Sequence, residues 1–467
     1  MGTTTKTLLT STAVALCLSA PALAETLTVT EATEAAITDA LAAAAASDSA
    51  STVVLAFEGD VEITETLAYD GQSALALIGN GQTISTADNV TLLAATQGAD
   101  LHVVDLTLAG PGSWTVQNRG DMDGAAAKGI FVDLRDDQTG TATLVVEDVT
   151  VRGVAGYGIH ISDCTLADEC GGGQTGDGDG SDAGISVTLR DVTINDVGNG
   201  TFDGDGLRAD ERGAGGISAL ITGSTVSMAG ADGIELDEGG AGDVVATIID
   251  TRLVENGAYC TPALFKDAIP DPDEAEFEQG AAAEADIPGP VTGTPDDTCI
   301  ERVVDLHDDG SVEAYEFGLD LDDGIDFDEG GAGSIHAVFL RSTISNNLDE
   351  GVDFDEAGDG AIDARFIDTV AEGNTDDGYK SSEEDAGSVT GLMLRSSAMG
   401  NGGKGAVFEE EGDGDLGVTA EASSTANNDD SDDTGIEAVQ EDSGTGTLKL
   451  TDSDLVDGTD LDGVELR

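Results

Sequence analysis

Positive charge is what this sequence has least of. Lysine and arginine number 18 against 94 aspartate and glutamate residues, for a formal net charge of −76. Phosphate binding needs Lys and Arg, so nucleic acid is excluded as a partner and anionic membranes are disfavoured. Aromatic residues make up only 4% of the chain, with a single Trp. A large globular core would want more of them. A thin solenoid core of Val, Ile, Leu, Ala and an occasional Phe would not, and a solenoid can absorb all 467 residues as one body. Beyond residue 24 no run is long and apolar enough for a membrane helix, so no membrane insertion is expected. GxSxG, HExxH and a P-loop are all missing. His102, His160, His307 and His336 are scattered and suggest no zinc site.

The first 24 residues read as a cleaved leader. Lys6 supplies a weak basic region, Leu8 to Ala20 is apolar, and Ala22-Leu23-Ala24 is a small-x-small cleavage site. A free secreted or periplasmic protein is expected. Four cysteines follow the leader: Cys164, Cys170, Cys260 and Cys299. An even number in an exported chain reads as disulfides. Cys164–Cys170 and Cys260–Cys299 are the expected pairs, since each brackets an interruption of the repeat described next.

Glycines recur at a fixed spacing. Gly324, Gly351, Gly378 and Gly405 lie 27 residues apart, and Asn347, Asn374 and Asn401 each follow one of them by 23. Starts of the form Gly-apolar-x-apolar occur at Gly129, Gly158, Gly206, Gly233, Gly324, Gly351, Gly378, Gly405, Gly435 and Gly463. Such a period marks a repeat architecture. Two longer intervals are one coil plus an insertion, at about 163–183 and 260–299. The second holds six of the eight prolines.

Within a unit the pattern has period two. Ile325 and Phe327 alternate with Asp326 and Asp328, and Val352 and Phe354 alternate with Asp353 and Asp355. Alternation sends one set inward and the other outward. The Asn residues, with Asn256 and Asn428, are expected to stack as an internal hydrogen-bonded ladder. Glu31 to Ala46 is Ala-rich with Ile37 and Leu41 at helical spacing, so residues 25–60 are expected to supply a strand and a capping helix over the open end of the stack.

The phrases LALIGNGQTIS and LLAATQGADLHVVDLTLAG resemble the opening coils of the pectin-lyase-like superfamily, and the resemblance covers roughly residues 30 to 467. It implies an all-β fold, a right-handed parallel β-helix solenoid, over residues 61–467. It does not choose an activity.

In such a stack the position two after each repeat glycine forms an outward column. That column reads Phe131, His160, Arg208, Glu235, Asp326, Asp353, Lys380, Val407, Glu437 and Glu465. The positions before the glycine and four after it add further acids, so the face is a carboxylate wall. Oxygen-rich clusters suit Ca²⁺; a merely wet acidic surface suited to a salty environment is the other reading. The run Asp177-Gly178-Asp179-Gly180-Ser181-Asp182 is a second cation candidate, although it lacks the Gly and Glu of an EF-hand loop. His160, Arg208 and Lys380 stand out as cations in an acidic column. They are candidate catalytic residues, or they merely neutralise neighbouring acids. Lys380 is the sharpest, because its rung breaks the acidic motif.

The rungs Ala231-Asp232-Gly233 and Asp322-Asp323-Gly324-Ile325-Asp326 resemble the calcium motifs of family nine pectate lyases. The resemblance implies Ca²⁺ on Asp232, Asp322, Asp323 and Asp326, with Lys380 as the base that takes the uronate proton; Asp353, on the next rung of the wall, is a further candidate ligand. The expected function is polysaccharide binding, as a Ca²⁺-dependent lyase of uronate polymers. A non-catalytic surface or adhesive solenoid that binds Ca²⁺ or tolerates salt is the rival, and a hydrolase or epimerase on the same fold is the third reading.

Overall fold

The computed structural model describes residues 25–115, 127–163, 180–201, 204–257, 277–283, 300–307, 310–319, 321–428, 434–441 and 443–467. The leader, both expected cysteine pairs and the first half of the Asp177–Asp182 run lie outside the described residues.

The chain winds into a right-handed parallel β-helix. One coil shows the path. Ile234–Glu238 lies on the first face, Val244–Ile249 on the second and Arg252–Val254 on the third. The first faces of successive coils stack into a 12-stranded sheet. The second and third faces together form a 23-stranded sheet, because early strands such as Thr139–Arg152 run through both. All pairings in these two sheets are parallel among the described residues. A single left-handed residue bends the chain from the second face to the third, as at Asp250 (φ 51°), Arg341 (φ 53°) and Asp368 (φ 51°). Asp tolerates that conformation better than most residues.

Inward positions hold the expected core. Ile325, Phe327, Val352 and Phe354 are fully buried. Phe327 stacks on Phe354 at 4.6 Å between ring centroids, and Phe366 on Tyr379 at 4.0 Å. Each such pair adds about 0.5–1.5 kcal/mol beyond its buried area. The scarce aromatics are therefore concentrated where the coils stack most regularly.

The Asn ladder is present. Asn256 Nδ2 donates to Asn347 Oδ1 (3.0 Å), Asn347 to Asn374 (2.9 Å), Asn374 to Asn401 (3.1 Å) and Asn401 to Asn428 (2.9 Å). Asn428 closes the series on Asp457 (2.8 Å). The capping helix is Glu34–Ala45, opened by the Thr33 hydroxyl accepting from the Ala36 amide. It buries Ile37, Leu41 and Ala44 against the first coil.

Two details depart from the sequence pattern. The second interruption runs past residue 299, since an antiparallel hairpin, Ile300–Leu306 with Val312–Leu319, comes before the coils resume. At the C-terminal end the last first-face strand is Thr459–Asp462, so Glu437 is followed in its column by Asp460 and not by Glu465. Val464–Leu466, with Glu465, belongs to the second face. The final coil is shorter than its neighbours, and a glycine count alone places it one face too early.

Candidate functional site

The outward columns of the first face are in register. Phe131, His160, Arg208, Glu235 and Asp326 are successive strand partners. The pairings of Ile325 with Val352 and of Asp355 with Ser382 continue that column through Asp353 to Lys380. The position before each glycine stacks beside it. Backbone bonds from Gly129 to Tyr157, Gly158 to Asp205, Gly206 to Asp232 and Gly233 to Asp323 order that column as Lys128, Tyr157, Asp205, Asp232, Asp323 and Glu350.

The two ends of this face differ. At the N-terminal end Lys128 is buried against two rings, its Nζ 4.7 Å from the Tyr157 centroid and 5.1 Å from that of Phe131. His160 packs on both rings, at 4.5 Å from Tyr157 and 5.3 Å from Phe131. Burial lowers Lys128 to about 8, with the Arg208 cation pushing the same way and the Asp210 carboxylate opposing. His160 is buried too, and burial lowers it to about 4 despite its bond to Asp210. Its imidazole is thus neutral at neutral pH. Its Nε2 lies 2.6 Å from Asp210 Oδ2. Arg208 helps to hold Asp210 ionised against the cost of burial. Asp210 therefore accepts, the proton sits on Nε2, and the lone pair is left on Nδ1. That Nδ1 is buried without a hydrogen-bond partner.

Arg208 is committed to its neighbours. Its Nε bonds Asp210 Oδ1 at 2.6 Å, and its other nitrogens reach Asp205, Glu235 and Asp237. Arg212 binds Asp237. These guanidiniums offset a run of buried carboxylates; for Arg208 this is one of the two roles that the sequence left open.

Farther along, between Arg208 and Lys380, the wall is acidic. Asp205, Asp232 and Glu235 bring ligand atoms within 4.8 Å of one another, and so do Asp323, Asp349 and Glu350. The first group already receives Arg208. In the second, burial and neighbouring carboxylates raise Asp323 well above the ordinary range, Glu350 to about 9 and Asp349 to about 7. Asp326 is raised for the same reasons. Asp323 Oδ1 and Asp326 Oδ1 are buried with no hydrogen-bond partner. Orphaned buried oxygens among crowded carboxylates suit a divalent cation, so the donor set fits Ca²⁺. Asp232 belongs to the same place, accepting the Asp323 amide on Oδ1. Asp322 sits one column back, its carbonyl bonded by the Asp349 amide at 3.1 Å.

Lys380 closes the acidic stretch. Its Nζ lies 2.6 Å from Asp353 Oδ2 and 3.5 Å from Glu350 Oε1. Burial alone would lower this lysine, but the carboxylates of Asp353, Asp355 and Glu350 outweigh it and raise the group above its ordinary value. A lysine held so firmly as an ammonium is a poor base. The sequence columns contain Lys380, His160 and Arg208; they miss Lys128 and Tyr157, which occupy the position before the glycine and take meaning only from what stacks beside them.

No family model and no curated protein matches the sequence. Several solved structures follow a similar coil path. One is a protein of Geobacillus virus E2, ORF18, at 8% identity and a TM-score of 0.42, covering 93% of this chain; the chain spans 61% of that protein. A second is the A-module of mannuronan C-5 epimerase AlgE4 from Azotobacter vinelandii, at 15% identity and a TM-score of 0.39, covering 93% of each chain. A third is pectate lyase Pel9A, at 12% identity and a TM-score of 0.34, covering 94% of this chain and 80% of that one. The chain folds as a right-handed parallel β-helix.

Proposed function

We propose that the outward first face binds a uronate-containing polysaccharide and that proton transfer occurs at its Lys128 end. The observation that carries this reading is Lys128 itself: a lysine lowered to about 8 between two aromatic rings, beside a neutral histidine, on a face that otherwise holds its cations in ion pairs. General-base catalysis wants a group whose pKa lies near the working pH. In its amine form Lys128 can take the proton from the sugar carbon that carries the carboxylate.

A polyuronate would be repelled by the acidic half of the same face. Asp323, Asp349 and Glu350, with Asp232 and Asp326, would hold Ca²⁺ there; Asp322 and Asp353 lie at the margins of that set. Bound there, Ca²⁺ supplies charge neutralisation between polymer and protein. Lys128 and the Asp323 rung are four rungs apart, roughly 19 Å at about 4.8 Å per rung. The cation therefore serves binding along the polymer, while Lys128 works on a sugar several units away. Lys380 keeps a structural part as a built-in cation beside Asp353.

Loss of a proton followed by expulsion of the neighbouring glycosidic oxygen is elimination; delivery of a solvent proton to the opposite face is epimerisation. The test is to incubate the protein with polygalacturonate and with alginate, with Ca²⁺ and with chelator. Unsaturated product reads elimination, and solvent deuterium at the carbon bearing the carboxylate reads epimerisation. Neither signal on any uronate polymer, from folded protein, would sink the reading. A second reading, a non-catalytic cation-binding solenoid, is favoured by the full ion pairing of Arg208 and Lys380; polymer binding without product or exchange would select it.

A further inference from the structure

The alternation on the first face has a consequence at its far end. If the first and third strand positions point inward, so does the fifth, and in this chain the fifth is acidic. Glu211, Glu238, Glu329, Glu356, Glu383 and Glu410 are successive strand partners, and Gln440 follows them. Asp163 precedes Glu211 in the same column. All six glutamates have zero exposure, and Asp163 is 3% exposed.

One oxygen of most of these carboxyls caps the glycine corner that follows. Glu238 Oε1 accepts from the Gly240 and Gly242 amides (3.2 and 3.1 Å), and Glu329 Oε1 from Gly331 and Gly333 (3.1 and 3.0 Å). Glu356 Oε1 accepts from Gly360 (3.0 Å), and Glu410 Oε1 from Gly412 (3.2 Å). The other oxygen has no such partner. Oε2 of Glu211, Glu238, Glu329, Glu356 and Glu410 is buried without one, as are both oxygens of Glu383. What lies within hydrogen-bonding reach is the next carboxyl: Glu238 meets Glu211 and Glu329, Glu356 meets Glu329 and Glu383, and Asp163 meets Glu211.

Two ionised carboxylates that close in a dry interior repel strongly, and a proton between them turns repulsion into a hydrogen bond. A metal ion fits worse. Calcium takes six to eight oxygens, whereas each gap here presents carboxyl oxygens alone. The corner offers no spare space either, since a Cβ at Gly333, Gly360, Gly387 or Gly414 would collide with the glycine carbonyl of the neighbouring coil.

We propose that this column is a proton-sharing carboxyl ladder, in which protons retained between successive glutamates join the coils at the corner of the first and second faces. Burial and the adjoining carboxyls lift Glu238 to about 10 and Glu356 to about 9. Burial is again the first cause at Glu383, about 7. The other charged groups acting on the column are Asp385 beside Glu383, and Asp413 and Asp415 beside Glu410. All are acids, and Arg212, next to Glu211 in the chain, is committed to Asp237. Since these folded-state values lie above the ordinary carboxyl value, the ladder's contribution is complete in acid. It is lost progressively as the pH climbs from the ordinary carboxyl value of 4.5 through the folded-state values, and is gone above about 10. Gln440 shows that the corner accepts an amide: its Oε1 takes the Leu416 amide at 2.9 Å and its Nε2 donates to the Glu441 carbonyl at 2.9 Å.

The test uses Glu356→Gln, Glu410→Gln and the double variant Glu238→Gln/Glu356→Gln. Melting is followed at pH 5 and pH 9, and infrared spectra at pH 7 read the protonated-carboxyl band that resists exchange on transfer to D₂O. The ladder predicts that the variants melt a few degrees above the parent at pH 9, lose that advantage at pH 5, and weaken the protected band. An equal displacement at both pH values would overturn it, as would a stoichiometric metal that the variants lose. If the variants do not fold, the parent alone decides, and absence of any protected band at pH 7 refutes the ladder.

Discussion

Lys128 and Lys380 stand on the same outward face, and their surroundings drive them in opposite directions. Lys128 is packed on Tyr157 and Phe131 and falls to about 8. Lys380 is packed on Asp353 and Glu350 and rises. Both lose solvent, which disfavours a charged group. What differs is the company. Rings cannot repay the desolvated ammonium as adjacent carboxylates can, so one end of the face holds a lysine poised to exchange a proton and the other holds a fixed cation.

The sharpest way to break this contrast is paired substitution. Lys128→Ala should cost about 10²- to 10⁴-fold in turnover on the uronate polymer that proves to be the substrate, the usual range for losing a positioned base. Lys380→Ala should leave turnover within a few-fold. Equal losses would make the two ends one site. The pH profile adds to this. The amine form of Lys128 accumulates as pH rises towards about 8, so turnover should climb about tenfold per pH unit below that value and level off above it. A plateau already reached by pH 6 would remove Lys128 as the base.

The acidic end should answer to cations instead. Ca²⁺ at about a hundred times its dissociation constant should stabilise the protein by about 2.7 kcal/mol, read as a rise in melting temperature. Asp323→Asn should abolish most of that rise, while Lys128→Ala should keep it. A smaller effect is expected from Asn374→Ala. It cuts the Asn ladder between Asn347 and Asn401 and should cost about 1–3 kcal/mol in chemical denaturation, because buried donors are left unpaired. The ladder runs from Asn256 to Asn428, beside the acidic end. Turnover at the Lys128 end should hardly change in folded protein.

Much of this architecture was legible in the sequence. The glycine period, the inward Ile325 and Phe327, the Asn ladder and the outward column from Phe131 to Glu437 follow from counting and alternation. Lys128 did not, because its character comes from Tyr157, a neighbour 29 residues away that only the stacking of coils brings against it. The glutamate ladder was in principle readable, since alternation that sends Ile234 and Leu236 inward also sends Glu238 inward. It went unread because a buried acid runs against expectation, and each of these glutamates follows an outward acid or serine that hides the pattern. Glu465 was misplaced for a simpler reason: the last coil is short, and a period cannot report its own end.

The contrast between the two lysines can be measured directly. The sequence has six lysines, few enough for resolved signals with selective ¹³C labelling at the carbon next to the amine. Titrating folded protein by NMR, with Lys128→Arg and Lys380→Arg to assign the signals, reads each amine separately. The account predicts a midpoint near pH 8 for Lys128 and no titration of Lys380 up to the pH at which the protein unfolds. A Lys128 midpoint at or above the ordinary lysine value, or a Lys380 midpoint below it, would contradict the account.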